Sequence, residues 1–545
     1  MNCLTRIFGL VISFIILSGC QNKDIGNAAE SDEKIAEKSS LNSFFEKKFK
    51  AKSWRTNPSD TLLFSIEKNL EQTYLSRYNS IWFNDSGLSK NGEDLIYVLR
   101  NIQGYGIDST LFERTTIRNL LANANSNEKK FHLELKLTRE YYRLGTYLNR
   151  GYLSEDKYEP IFEIDSVEID LSQHLRAAAE NNTILESLHQ LEPQLPEYRH
   201  LRQALVHFTK SYPITTNSAR ICTFKTDSSK CIKGAADALV DFGYLDSNSI
   251  KNDSLIICAI KLFQKHNGLN QDGKPGTNTA KAFLISNQER YLAAQATLTK
   301  LRWEKDQQRT SYIYVNIPSY TMKVADSGQY VFQKKTVVGN TWTKTPVFKA
   351  ELEYFVMNPV WNVPYSISSK EILKKVKKDS TYLTRNGYVV SQKGKQLNSN
   401  SIDWQNITPN NFNYQISQNS GSGNALGKIK FIFPNTNFVY MHDTPSKHFF
   451  AKDIRAFSHG CIRLQHPVEL AKYLAEKQDL SVQKDSIQSK IDTKKNRVVL
   501  LKEKIPVYIE YHLAGTDVNG EIEFYRNIYK KDLQLLAALN KNQNS

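Results

Sequence analysis

The chain has 545 residues, 40% hydrophobic and 11% aromatic, enough for ordinary cores in several domains. Its formal charge of +16 points to acidic partners (cell-wall polymer, anionic lipid or nucleic acid) unless the lysines are simply solvated surface. Its six cysteines form no CxxC pair, and there is no His-rich tract, which excludes the usual zinc patterns.

The chain opens with "MNCLTRIFGLVISFIILSGC". Arg6 lies in a short charged start, an apolar run extends from Ile7 to Leu17, and small residues follow. That is the layout of a secretory signal, and the run is short for a membrane span, although an uncleaved anchor is the alternative. "LSGC", Leu17 to Cys20, resembles the lipobox of bacterial lipoproteins. The resemblance implies a signal peptide over 1–19 and a lipid anchor on Cys20. Export sets nucleic acid aside and implies a periplasmic, envelope-anchored protein. Gln21, where inner-membrane retention would call for Asp, favours the outer membrane. The polar stretch 20–43 reads as a tether.

The expected architecture is multi-domain α+β. Residues 44–220 have helical periodicity, as in "LELKLTREYYRLGTYLNRG", closed by Gly151, and read as a helical scaffold. In 221–290 a helix ends at "FGYL", another runs through Ile256, Ile260 and Phe263 to Gly268, and a third follows "QDGKPG". This resembles the three-helix peptidoglycan-binding module, through Gly243, Leu245, "LFQKHNGL", Asp272, Gly273, Gly276 and Thr279. Those are packing and turn residues, so they point to a fold more than to a binding site. Cys222 and Cys231 are close enough to pair in an oxidising compartment, and Cys258 reads as core.

Over 305–515 the period changes to two, giving a mostly β domain with an insertion at 362–427 rich in Lys, Asn, Ser and Gly. Pro467 opens a helix, and 516–545 holds a hairpin turned at Asn519-Gly520, followed by a tail. The insertion reads as a mobile lid, with Gly421, Gly423 and Gly427 as a hinge, or as a surface elaboration that binds nothing.

The chemistry concentrates in "FSHGCIRLQHP". A cysteine becomes a nucleophile when an imidazole takes its proton, so a low-pKa thiol is expected at Cys461. His442, at a strand end in "VYMHDTP", and His459 are the candidate partners. Strand alternation would set His459 beside Cys461 and turn Asp443 away from His442, leaving a backbone carbonyl to orient that ring. Gly460 allows close approach of the backbone, and the Gly460 and Cys461 amides are candidate oxyanion donors. A buried structural cysteine is the alternative on residue types alone.

His442 followed sixteen residues later by Ser458, then His459, Gly460, Cys461 and Arg463, resembles the active-site motif of the YkuD-type L,D-transpeptidases. "NPVWNVPYSI", which holds Trp361, and the stretch with Tyr440 extend the resemblance to a large periplasmic subgroup. It implies Cys461 as nucleophile and His442 as base, acting on peptidoglycan stem peptides. Ser458, Arg463, Tyr440 and Trp361 are the candidate substrate contacts. Arg463 could meet a substrate carboxylate or form a loop salt bridge. The implied reaction releases D-alanine, passes through a thioester, and crosslinks third-position stem residues. It needs no cofactor or metal, and covalent inhibition by carbapenems follows. The alternatives are an L,D-carboxypeptidase or endopeptidase acting on the same stem bonds, and a non-catalytic wall-binding lipoprotein.

Overall fold

The computed structural model describes residues 40–56, 58, 60–76, 78–153, 158, 169–223, 228–304, 309–421 and 423–543. The expected signal, Cys20 and most of the tether lie outside the described residues. Helix α1 (Ser40–Ala51) begins inside the segment expected to be tether. It packs with α2 (Thr61–Ser76), α3 (Lys90–Arg100), α4 (Arg114–Ala122), α5 (Asn127–Arg150), α6 (Leu171–Asn181) and α7 (Ile184–Gln190) around one core. A small hairpin, β1 (Phe83–Asn84) with β2 (Gly87–Leu88), lies between α2 and α3. The apolar stripe of α5 (Leu133, Leu137, Tyr141, Leu144 and Leu148) is buried, and Gly151 ends the helix with a φ of 76°. Glu134 is buried in this core. Its carboxylate accepts from the Ile81 and Trp82 amides and from the Tyr74 and Ser80 hydroxyls, so a charge that would be costly alone is fully hydrogen-bonded. Helix α8 (Pro196–Ser211) completes the helical region.

The three-helix module comprises α9 (Ser228–Asp241), α10 (Asp253–His266) and α11 (Thr277–Ala282), around Leu239, Phe242, Ile260, Phe263 and Phe283. Its turn hangs on one side chain. Gln264 Nε2 donates to Asp272, to the Lys274 carbonyl and to Thr279, while the Gly273 amide donates to Gln264 Oε1. Cys222 and Cys231 form a disulfide with Cα atoms 5.1 Å apart. Cys258 is half-buried rather than core, because Ile256, Ala259 and Ile260 take the inward positions of α10.

Helix α12 (Asn287–Trp303) is buried almost all round, and its cations bind the parts of the molecule together. Arg290 donates to Asn267 and the Ala282 carbonyl in the module. Arg302 donates to the Tyr105 carbonyl and Tyr198 hydroxyl in the helical region. Lys300 pairs with Asp532 at 2.7 Å and donates to the Tyr511 carbonyl. Just beyond the helix, Arg309 lies between Glu304 and Glu510, 2.8 Å from each. These carboxylates and His512 form a buried cluster that already holds the guanidinium as its cation.

The β domain is built from β3 (Tyr312–Asn316), β4 (Thr321–Asp326), β5 (Gln329–Gly339) and β6 (Phe348–Met357). An inserted set follows: β7 (Trp361–Asn362), β8 (Tyr388–Gln392), β9 (Lys395–Leu397) and β10 (Gln415–Gln418). The main sheet resumes with β11 (Ile429–Ile432), β12 (Met441–His442), β13 (Ala456–Ser458), β14 (Ile462–Leu464) and β15 (Arg497–Glu510). Its order is β13-β5-β14-β12-β11-β6-β15-β3-β4, and pairing of β4 with β5 closes the circuit. The enclosed face is apolar: Val315, Met322, Val338, Phe355, Phe431, Met441, Ile462, Leu464 and Val507. The insertion has its own sheet, β7-β10-β8-β9, and its own core around Leu373, Leu383, Val390, Trp404 and Ile416. Asn519-Gly520 turns the final hairpin, β16 (Ala514–Thr516) with β17 (Ile522–Phe524), which packs on α8 and α12.

Replacing Cys222 and Cys231 by Ser should lower the stability of the three-helix module by about 2–3 kcal/mol, through the unfolded-chain entropy that the short loop removes. Thermal denaturation with and without reductant measures this. Free thiols at both positions in an unreduced peptide map would refute the bridge.

Candidate active site

The site lies on the outward face of the closed sheet. β12 and β14 run parallel, with Met441 opposite Ile462 and His442 opposite Arg463, and the Ile462 amide donates to the Tyr440 carbonyl at 3.1 Å. Side chains alternate, so Met441, Ile462 and Leu464 enter the core. Tyr440, His442, Cys461 and Arg463 therefore share the other face. Cys461 and His442 are diagonal neighbours there.

His442 is buried, and its Nδ1 meets the backbone carbonyl of Asp443. A carbonyl only accepts, so Nδ1 carries the proton and Nε2 is left as the base. The expectation that a carbonyl orients the ring holds, and the carbonyl is Asp443's own. The Asp443 carboxylate faces elsewhere, toward the Lys428 amide and the Lys447 ammonium. Burial pulls the His442 imidazole down to about 4, and the Arg463 guanidinium adds to the effect.

Cys461 is half-buried, its Sγ 3.9 Å from the Phe438 carbonyl. Burial pushes its thiol above the ordinary value, against contacts with Tyr440 and the charge of Arg463. The expected low-pKa thiol is thus corrected. Burial thus favours the neutral form of both the thiol and the imidazole.

The segment around Cys461 is not one strand. β13 ends at Ser458, and Gly460 has a φ of 115°, a conformation that glycine adopts freely. Alternation therefore does not apply across it, and His459 is not held beside the thiol. It is exposed, and its Nε2 lies 2.6 Å from Glu371 of the insertion. Ser458 is also reassigned. Its buried hydroxyl donates to the Cys461 carbonyl at 2.6 Å and accepts from the Gly460 amide at 3.2 Å, so it shapes the loop instead of meeting substrate. That bond also occupies the Gly460 amide, which removes it as an oxyanion donor. The Gly460 carbonyl is fixed by Thr345 Oγ1 at 2.7 Å, and the Ser458 carbonyl accepts from the Asn340 amide and Thr343 Oγ1.

The Tyr440 phenol meets both the Cys461 thiol and the Trp361 side chain. Arg463 has no carboxylate partner among the described residues, so the salt-bridge reading falls; its guanidinium lies over the Phe449 ring, 5.8 Å from the centroid. Sequence reasoning missed Glu371 and Lys430. Nothing local marks Glu371. Lys430 was visible as the polar member of "KIKFIF", between two core positions on the strand beside His442. Gly427 is not a hinge: a Cβ there would lie 2.4 Å from the Asp443 side chain, so it is a close-approach glycine. Asn424 pins the same return path through the Pro359, Gln418 and Asn419 carbonyls.

Three families match the chain. The L,D-transpeptidase catalytic domain (YkuD) covers residues 310–500, the span holding this cysteine and histidine. Residues 310–500 thus resemble a YkuD-type L,D-transpeptidase catalytic domain. A scaffold domain matches 68–205 and a "Putative peptidoglycan binding domain" matches 234–283. A "Putative L,D-transpeptidase" of Haemophilus influenzae is 33% identical over 231 residues, 42% of this chain and 46% of the relative. The match thus spans about half the length of that relative. A solved structure described as "Structure of the Ldtfm-avibactam carbamoyl enzyme" aligns over 38% of this chain and 51% of that chain, with 12% identity and a TM-score of 0.19. A similarity that low carries no argument about the transpeptidase domain.

The burial of the pair sets the pH behaviour. Alkylation of Cys461 by iodoacetamide should climb with pH to beyond the ordinary thiol value of 9.0. Acylation that uses neutral His442 should instead hold steady from just above about 4 upward. An alkylation rate already level at roughly pH 5–7 would mean a resting thiolate–imidazolium pair and sink the assignment.

Proposed function

We propose that the protein is a peptidoglycan L,D-transpeptidase that joins third-position stem residues through a thioester on Cys461. The observation that carries this reading is the tautomer of His442: Nδ1–H is held by the Asp443 carbonyl, and the free Nε2 shares a face with Cys461. The thiol proton passes to Nε2 as sulfur attacks the carbonyl of the third stem residue. The C–N bond to the terminal D-alanine breaks, and the same proton goes to the leaving amine. An amine from a second stem then attacks the thioester, His442 takes its proton, and the thiolate leaves to be reprotonated.

The site opens outward from a sheet whose other face is filled, so water must be kept from the thioester by something outside the sheet. The insertion serves as that cover. It meets the site twice, through Trp361 on Tyr440 and Glu371 on His459. His459 is then a positioning residue between cover and nucleophile loop. The three-helix module holds wall polymer nearby. Asp453, in the segment between His442 and Cys461, accepts from the Asn270 amide and the Asn278 side chain of the module. A lipid on Cys20 would anchor the chain at the periplasmic face of the outer membrane.

Incubation with a carbapenem should add one covalent adduct, seen by intact mass. Cys461→Ala should abolish it, and His442→Ala should slow it by roughly 10²–10⁴-fold. An adduct persisting in Cys461→Ala would show that the nucleophile is elsewhere. The cover makes a separate claim. Replacing the insertion by a short Gly-Ser linker should slow crosslinking of stem peptides far more than acylation by a small β-lactam. Equal losses in the two rates, or none in either, would refute it.

A further inference from the structure

Across the outward face the strands set a fixed order of side chains. Cys461 immediately precedes β14 and His442 is on β12, while directly opposite His442 on β11 stands Lys430. Ile429 and Phe431 on either side of it are fully buried core residues, so Lys430 projects to the catalytic face. Directly opposed residues of an antiparallel pair have Cβ atoms about 4.5–5.5 Å apart, which puts the lysine stem against the imidazole. Lys430 is half-buried, and burial alone lowers its ammonium, with no carboxylate contributing among the described residues. Its charge reaches His442 and helps to hold that ring neutral. A half-buried cation without a counter-ion beside a catalytic base carries a desolvation cost that an incoming anion offsets.

We propose that Lys430 is the specificity residue that reads the carboxylate of the residue leaving the donor stem, a role that rests on the transfer reaction proposed above. The order of groups in the substrate matches the order across the sheet. The attacked carbonyl lies over Cys461, the leaving amine over His442 Nε2, and the α-carboxylate on the next carbon faces Lys430. One residue spans about 3.8 Å from Cα to Cα, less than one strand spacing, and the flexible lysine stem covers the remainder. The site therefore selects a stem that ends one residue past the scissile bond in a free carboxylate. It disfavours a stem that continues or is capped as an amide. No additional bond is made or broken; the ammonium only pairs with the carboxylate before and during expulsion of the amine. Arg463, on the opposite side of His442, is left to contact the part of the stem that stays on the enzyme. After the first half-reaction the Lys430 subsite is vacant. It then favours an acceptor whose attacking amine has a carboxylate on the same carbon, since that amine must enter over His442 as the first one left.

The test compares a tetrapeptide stem with a free terminal carboxylate against the same stem as a terminal amide. Release of the fourth residue by the full chain should favour the acid by about tenfold or more, the range of a charge-assisted hydrogen bond. Lys430→Met should bring that ratio close to one, mainly through KM for the acid, and Lys430→Arg should keep most of it. Affinities of both peptides for Cys461→Ala, with and without Lys430→Met, read the same ratio without turnover. If the ratio survives Lys430→Met, or collapses only in Arg463→Met, the assignment of Lys430 is overturned. If wild-type protein releases nothing while Cys461→Ala prefers the acid through Lys430, the subsite stands and the transfer reaction is what fails. Iodoacetamide labelling of Cys461 in the Lys430 and Arg463 variants, and thermal denaturation of the Cys461→Ala variants, check that the fold is retained.

Discussion

The closed circuit of strands is the constraint from which the site follows. Once β4 pairs with β5, the inside of the sheet is filled by Val315, Phe355, Phe431, Met441, Ile462 and their neighbours. Catalytic side chains can then project only outward. Two very short strands do the positioning. A slip of one residue between β12 and β14 would carry His442 or Cys461 into the core and bring Met441 or Ile462 out. The core residues between the catalytic ones therefore fix the register of the site as firmly as any hydrogen bond within it.

An outward site has a consequence for its chemistry. Catalysis with a thioester intermediate works best where water is scarce, yet the convex side of a closed sheet is the wet side. Between β6 and β11 the chain inserts a second sheet with its own core, and the insertion reaches Tyr440 through Trp361 and His459 through Glu371, the contacts on which the proposed cover rests. The same partial drying accounts for the charge state of the pair. Burial raises the thiol and lowers the imidazole, which favours the neutral form of each.

Helix α12 performs the corresponding task for the whole molecule. A helix buried on every side is usually apolar, but this one holds Arg290, Lys300 and Arg302. Each guanidinium or ammonium is spent on polar groups of a different region, the Lys300 ammonium on the Asp532 carboxylate as well as a carbonyl, so the groups that would be costly in one core specify how three cores meet. Through Asp453 the module also bears on the segment linking His442 to Cys461.

Much of this was legible in the sequence. Helical spacing marked α5 and α10, alternation marked the β domain, and the spacing of His442, Ser458 and Cys461 marked the site, because these are local patterns of period and motif. The carbonyl that orients His442 also followed from alternation. What the sequence could not carry was set by contacts between distant segments. His459 looked like a neighbour of Cys461 on a strand, but the positive φ at Gly460 breaks the strand, and Glu371, 88 residues away, holds the ring. Gly427 looked like a hinge until the Asp443 side chain was packed against it. The low thiol pKa expected from a Cys–His pair gave way to burial, which depends on everything that surrounds the pair. The roles of Lys430 and Arg463 depend on which strands are neighbours, and strand order arises only when β11, β12 and β14 come together from across the chain. The sequence by itself determined the elements and marked the candidate nucleophile; tertiary structure decided the partners, because register, burial and strand order are properties of contacts between segments far apart in the chain.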